Sequence, residues 1–318
     1  MSKNKIWVIG ASGQIGSDLV VELRNLYGGD NVIASDIKEA NEEVMQGGPF
    51  EHFDVCSVDE LSHLVKKYDI TEVYNLAALL SGTAEKDPRF AWRLNMNGLF
   101  NILNVAREGF VKKVFWPSSI AVFGPTTQKE DTPQVAVTEP NTVYGITKIA
   151  GERWCEWFHA KYNIDVRSVR YPGLIGYKAL PGGGTTDYAV DIFYHAIQGK
   201  DYECFLSEDT KLPMMYMPDG IRATLDLMHA PEDSISIRSS YNLAGMTFDP
   251  RLIHESIKRH YPDFKVSYKT DFRQDIANSW PQSIDDSVAT KDWGWKPEFD
   301  LDAMVDDMII KLKPKLLK

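Results

Sequence analysis

Ile6-Trp-Val-Ile-Gly10-Ala-Ser-Gly13-Gln-Ile-Gly16 runs from four apolar residues straight into three evenly spaced glycines. An apolar run of that length suits a strand buried on both faces, and the glycines then fall in the turn that leads into a helix. Glycine lets a backbone approach a pyrophosphate closely, and a helix N-terminus adds unpaired N–H groups and a favourable dipole. Gly10, Gly13 and Gly16, with Gln14 and Ile15 between them, are therefore candidate cofactor contacts. An isolated glycine match can also be a plain strand–helix turn, so the residues downstream decide. Asp36 closes the next strand pattern, about twenty residues on, where an acid takes ribose hydroxyls and repels a 2′-phosphate. Ser35-Asp36-Ile37 offers no arginine beside that acid. NAD is expected over NADP, with Ile37 also at the adenosine end.

Further out, short apolar runs alternate with amphipathic helical patterns, the texture of βαβ units and a parallel sheet. Strands are expected at 5–9, 32–35, 72–76, 113–116 and 165–170. Ser57-Val-Asp-Glu60 reads as a capping box, Asp87-Pro88 as the start of a helix ending near Gly109, and Gly28-Gly29 as the end of the first helix. Past residue 171 the elements shorten, and Pro181-Gly-Gly-Gly184 signals a loop. The expected fold is α/β: a Rossmann-type doubly wound parallel sheet over 1–170, then a smaller C-terminal substrate domain over 171–318. A segment near 218–245 is expected to return to the first sheet.

At 318 residues and 43% hydrophobic content the chain holds enough apolar mass for that architecture. The formal charge of −10 argues against a nucleic-acid partner. The start, Met1-Ser-Lys-Asn-Lys5, is too short for a signal peptide, and no apolar run reaches membrane length. Cys56, Cys155 and Cys204 form no CxxC pair, and no HExxH occurs. The expectation is a cytoplasmic protein without a catalytic metal.

Chemistry concentrates mid-chain. Tyr144-Gly-Ile-Thr-Lys148 puts a phenol and an ammonium four positions apart, on one helix face. The ammonium is expected to favour phenolate, lowering the tyrosine pKa from about 10 toward working pH and making Tyr144 a candidate general base. Tyr261 and Lys265 share the spacing, but Pro262 interrupts a helix there. Pro117-Ser118-Ser119 falls at the carboxyl end of a strand, where ligands of open parallel sheets sit; either serine is placed to hold a substrate oxygen. Asp54, followed by Val55, is a candidate for the adenine amine, and equally a turn aspartate. Leu76-Ala77-Ala78 ends a strand with residues small enough for a cofactor to cross.

Glycine loop, acid, small-residue strand end, serine and Tyr-x-x-x-Lys, in that order, resemble the short-chain dehydrogenase/reductase superfamily, and more narrowly its extended, epimerase/dehydratase-like branch. The resemblance covers nearly the whole chain. It implies pyrophosphate contacts from Gly10, Gly13 and Gly16, ribose contact from Asp36, and the reacting oxygen held by Ser119 and Tyr144. It also implies that Lys148 holds the nicotinamide ribose, that Asn95 is the helix asparagine near the cofactor, and that Tyr171-Pro-Gly173 passes the nicotinamide. Members that run elimination carry Asp-Glu after the catalytic serine or threonine. Here Ile120-Ala121 stand instead.

Trp116-Pro-Ser-Ser-Ile-Ala-Val-Phe-Gly-Pro125, Ala78-Leu-Leu-Ser81, Arg170-Tyr-Pro-Gly-Leu-Ile175, 181–191 and Pro213-Met-Met-Tyr-Met217 are similar to the short-chain L-threonine 3-dehydrogenases within that branch. This implies NAD-dependent oxidation of the threonine β-hydroxyl to 2-amino-3-oxobutyrate, with domain closure. Ser81, Ser118, Gly184, Thr185 and Thr186 are then substrate candidates; Thr185-Thr186-Asp187 is otherwise a helix cap. A nucleotide-sugar epimerase using NAD is the alternative, and a non-catalytic NAD-sensing protein the remaining one. Aromatic side chains on helices near 90–106 and 149–162 point to a homodimer.

Overall fold

The apolar runs form strands that pair in parallel. In the computed structural model, which describes residues 4–180 and 182–317, β1 (Ile6–Ile9) leads to α1 (Gln14–Tyr27), β2 (Val32–Asp36), α2 (Glu42–Gln46), β3 (Phe50–His52), α3 (Val58–Tyr68) and β4 (Glu72–Asn75). Then come α4 (Ser81–Ala84), α5 (Pro88–Trp92), α6 (Gly98–Arg107), β5 (Lys113–Phe115), β6 (Ser118–Ser119), α7 (Val143–Tyr162) and β7 (Asp165–Arg167). Six of these strands make one parallel sheet in the order β3-β2-β1-β4-β5-β7. The order reverses between β1 and β4, so a ligand crevice opens at their carboxyl ends. Pro181, which begins the glycine-rich loop read from the sequence, and Met1, Ser2 and Lys3 lie outside the described residues.

Every residue of β1 is buried, and Trp7 Nε1 donates to Ser35 Oγ at 2.8 Å, fixing β1 against β2. One face of the sheet is covered by α3, α6 and α7, whose Leu61, Leu64, Leu99, Ile102 and Phe158 share a core with Trp7 and Val114. The other is covered by α1, through Leu19, Val20 and Leu23, together with residues 221–228 from far along the chain.

One expected strand is shortened and another divides. The run 113–116 forms β5 and stops short of Pro117, which has no N–H to give to a ladder; β6 is a separate strand beyond it. The run 165–170 becomes β7, in the main sheet, and β8 (Val169–Tyr171), which pairs with β6. The break falls at Ser168, whose hydroxyl bonds that of Ser240. The helix starting at Asp87 is capped as its sequence predicts, Asp87 Oδ1 accepting from Phe90 N at 3.0 Å. A π-helical turn at Arg93–Asn97 interrupts it. The capping box at Ser57 does not form: Ser57 is the N-cap residue of α3, but its side chain makes no cap bond.

Beyond β8, β9 (Gly173–Ile175), α8 (Tyr188–Ile197), β10 (Tyr202–Cys204), β11 (Leu212–Tyr216), α9 (Met217–His229), β12 (Tyr241–Asn242) and β13 (Met246–Phe248) follow. β9, β11 and β13 form a small mixed sheet, while β12 joins β8 and β6. Tyr188, Phe193 and Tyr216 pack there with Met304 and Met308 in a second core. Among the described residues no helix is long and apolar enough to cross a membrane.

Candidate active site

The glycine loop is built around one close approach. Gly10 has φ +88°, and a Cβ on it would lie 2.8 Å from the Ala77 nitrogen and 2.9 Å from the Leu76 carbonyl carbon. At Gly16 a Cβ would stand 2.2 Å from the Gly10 oxygen. Both positions require glycine, and the strand end at 76–77 presses against the loop. α1 opens at Gln14 without a side-chain cap and without an acid in its first turn. Its leading N–H groups thus face the crevice with no internal anion, and the residues present fit a dinucleotide pyrophosphate.

Asp36 stands beside the loop, its carboxylate accepting from Ser12 N at 3.0 Å and Lys38 N at 3.2 Å. Ile37 is exposed next to it. Asp54 accepts from Cys56 N at 2.9 Å, as a turn aspartate does. Val55 is buried against Gly98.

One pocket gathers most of the remaining candidates. Gly10, Gly13, Gln14, Ile15 and Gly16 line one end with Leu76 and Ala78; Ser118, Ser119, Tyr144, Lys148 and Tyr171 line the middle; Ser81, Gly184, Thr185 and Thr186 line the other end. Ala77 is not in the lining; it backs Gly10. Asn95 is not in it either. Its Oδ1 accepts from Leu79 N at 2.8 Å and its Nδ2 donates to Leu79 O at 3.2 Å and Thr147 Oγ1 at 3.0 Å. Asn95 thus pins the strand-end loop to α7 from behind the pocket.

Tyr144 and Lys148 do share a face of α7, with Lys148 Nζ 5.4 Å from the phenol ring centre and 4.5 Å from that of Trp116. Lys148 Nζ also donates to Pro117 O at 2.6 Å. The expected lowering of the tyrosine pKa is reversed. Burial pushes Tyr144 up to about 12, although the neighbouring Ser119 hydroxyl pulls it down. Burial likewise brings Lys148 down to about 7, with Cys155 and Glu152 opposing. Desolvation outweighs pairing for both groups.

Ser118 and Ser119 separate. The Ser118 hydroxyl donates to Glu152 Oε1 at 2.7 Å. Ser119 Oγ accepts from Ala121 N at 3.2 Å and keeps its own proton for another acceptor. At the far end, Thr185 lies within 3.4 Å of the Ser81 hydroxyl. Asp187 does not cap α8 with its side chain; instead its Oδ2 accepts from Gly183 N at 2.8 Å and Gly184 N at 2.7 Å. The left-handed residue of that loop is Gly183, not Gly184.

Leu80, Ile120 and Trp280 complete the apolar wall, and sequence reading missed Leu80 and Trp280. Trp280 is buried, its indole nitrogen without a partner among the described residues. Lys129 Nζ fixes that segment through the carbonyls of Asn278, Ser279 and Trp280 at 3.2, 2.7 and 3.2 Å. No local pattern around Trp280 marks it. Among the described residues, Lys148 is the single cationic side chain in the lining. Among the described residues no group of His, Cys, Asp or Glu is placed to hold a metal ion.

The arrangement has counterparts. The model of the NAD-dependent epimerase/dehydratase family matches residues 6–244. An uncharacterized epimerase/dehydratase of Staphylococcus saprophyticus is 48% identical, covering 98% of each chain. The holo structure of a GalE-like L-threonine dehydrogenase from Cupriavidus necator superposes with a TM-score of 0.95 at 55% identity, covering 97% of this chain and 99% of that one. A metagenomic L-threonine 3-dehydrogenase described as monomeric superposes with a TM-score of 0.94 at 47% identity, covering 98% and 99%.

Proposed function

The chain belongs to the NAD-dependent epimerase/dehydratase family, and on that footing we propose that it is a short-chain, metal-independent L-threonine 3-dehydrogenase. One observation carries the reading. A single pocket joins the glycine loop to Ser119, Tyr144 and Lys148 and ends in the hydroxyls of Ser81, Thr185 and Thr186, with one cationic side chain in its wall among the described residues. With the glycine loop taken by NAD, a nucleotide sugar needs a second diphosphate site built from further cations or a dedicated clamp; an amino-alcohol acid needs a few directed donors and a snug apolar wall. Ile120 and Ala121, buried after Ser119, offer no acid–base group for elimination.

NAD, when bound, supplies the hydride acceptor. The protein's own groups do the rest. Ser119 donates to the reacting hydroxyl oxygen, and Tyr144, as the phenolate that forms once its own proton has left, takes the substrate hydroxyl proton as the carbonyl forms. Lys148 puts its charge beside the phenol. Ser81, Thr185 and Thr186 hold the amino-acid end, and closure of the 182–187 segment, tied by Asp187, excludes water and fixes orientation. The product is 2-amino-3-oxobutyrate. A panel of L-threonine, simple secondary alcohols and nucleotide sugars, scored by NADH absorbance, tests this. Turnover of a nucleotide sugar with none of threonine would replace the reading by the epimerase one.

Asp36→Ala is expected to weaken NAD binding about tenfold, as loss of a charge-assisted hydrogen bond does, and to narrow the preference over NADP. A preference ratio equal to wild type in parallel titrations would remove Asp36 from the ribose.

We further propose a homodimer through α5 and α7. Phe90, Trp92, Trp154 and Trp157 are 36%, 48%, 37% and 44% exposed on them, more aromatic surface than a solvated face needs. Light scattering at micromolar concentration should return twice the chain mass. A monomer mass would place this chain with its monomeric metagenomic relative.

A further inference from the structure

One buried carboxylate connects the three segments that carry the candidate reacting groups. Glu152 lies one helical turn past Lys148, its side chain 0% exposed. Its Oε1 accepts the Ser118 hydroxyl at 2.7 Å and Arg170 Nε at 2.8 Å, and its Oε2 accepts Arg170 Nη2 at 2.8 Å. Arg170 is itself buried, with its remaining donors on Gln134 O at 3.1 Å and Asn242 Oδ1 at 3.0 Å. β6 and β8 pair Ser118 with Arg170 and Ser119 with Tyr171. One turn back along α7, Lys148 grips Pro117 O. Two side chains of α7 thus hold the two successive residues, Pro117 and Ser118, that precede Ser119.

A serine hydroxyl has one proton to donate. That of Ser118 is committed to Glu152, so it has none for a substrate oxygen. A bidentate, fully desolvated pair holds its geometry because either charge left alone in the interior is strongly disfavoured. Displacements of about 1 Å at a reacting centre cost about a hundredfold in rate.

We infer that Glu152 is a positioning residue for the reaction: by taking the Ser118 hydroxyl and the Arg170 guanidinium it sets Ser119, the Tyr144–Lys148 face and the 171–174 segment in register, leaving Ser119 alone to hold the reacting oxygen. This rests on Tyr144 and Lys148 as the reacting pair, not on which alcohol reacts. Glu152 touches neither substrate nor cofactor and acts through Ser118 and Arg170.

The test is a kinetic double-mutant cycle on the full chain with saturating NAD. Ser118→Ala should lower kcat about tenfold and Glu152→Gln about ten- to a hundredfold, each leaving the substrate KM and NAD affinity within about twofold. The double variant should fall no more than about twofold below Glu152→Gln, since the two share one path. Fully additive losses, or a Ser118→Ala loss carried by KM, would overturn the assignment. Glu152→Gln leaves the Arg170 charge unpaired. If it does not fold, Glu152→Gln/Arg170→Gln, which removes both charges, takes its place in the cycle, and a wild-type kcat there overturns the inference equally. Failure of the threonine reading shows separately, as a wild-type enzyme inactive on threonine. The cycle then runs on the alcohol that the panel returns.

Discussion

Tyr144→Phe is expected to lower kcat for threonine oxidation by about two to four orders of magnitude, the range of a lost general base. NAD affinity should stay within about twofold of wild type. The substitution removes one oxygen and keeps the ring, which packs against the second core. The pocket sets the cost of the chemistry in an informative way. Burial holds the phenol at about 12 and the Lys148 ammonium at about 7, so the charged form of neither is favoured by the site alone. The pair is better treated as one coupled system than as a fixed phenolate beside a fixed cation. Initial rates by NADH absorbance, with NAD affinity by fluorescence titration, check this. A Tyr144→Phe enzyme within a factor of ten of wild type would remove Tyr144 as the base and the proposed chemistry with it.

Much of the site was legible because its signals are local. A four-residue apolar run, glycines at a fixed spacing, an acid at the next strand end and a four-residue helical repeat each depend on a few neighbouring residues. The structure places Gly10, Gly16, Ser119, Tyr144 and Lys148 around one pocket accordingly. What was not legible depends on distant partners. Trp280 lines the pocket on a segment whose carbonyls are held by Lys129, about 150 positions earlier by sequence numbering. Glu152 reads as an ordinary charged helix residue until Arg170 and Ser118 meet it. The reversed tyrosine shift has the same origin, since spacing reveals the nearby ammonium but not the desolvation that exceeds it. The strand at 113–116 ends early and that at 165–170 divides, for mixed reasons. Pro117 is visible in the sequence, whereas the Ser168–Ser240 contact is not. Asn95 divides the same way: its helix position was readable, but its bonds to Leu79 and Thr147 depend on distant partners.

Lys148→Met should abolish turnover, by at least about three orders of magnitude, and at the same time raise thermal stability at low pH. Lysine ordinarily titrates near 10.4, and burial brings Lys148 down to about 7 in the folded chain. Below about 7 the folded protein therefore carries a buried ammonium, and the destabilisation is fully present. Between about 7 and the unfolded value the unfolded chain binds a proton that the folded chain does not, so stability rises with pH across that window. Methionine keeps the apolar stem beside Trp116 and removes the charge, at the loss of the bond to Pro117 O. The melting temperature at pH 6 should rise by about 2 to 6 °C, given roughly 1.4 kcal/mol per pKa unit and the modest shift per kcal/mol in a chain of this size. The gain should shrink at pH 9, because folded wild type has by then lost the proton. Calorimetry at the two pH values decides between this and a purely structural lysine. A variant that melts below wild type at pH 6, or a difference that does not narrow by pH 9, would show that the Lys148 ammonium is well accommodated in the pocket. A stabilised but inactive protein would show instead that the site keeps a charge at the expense of the fold.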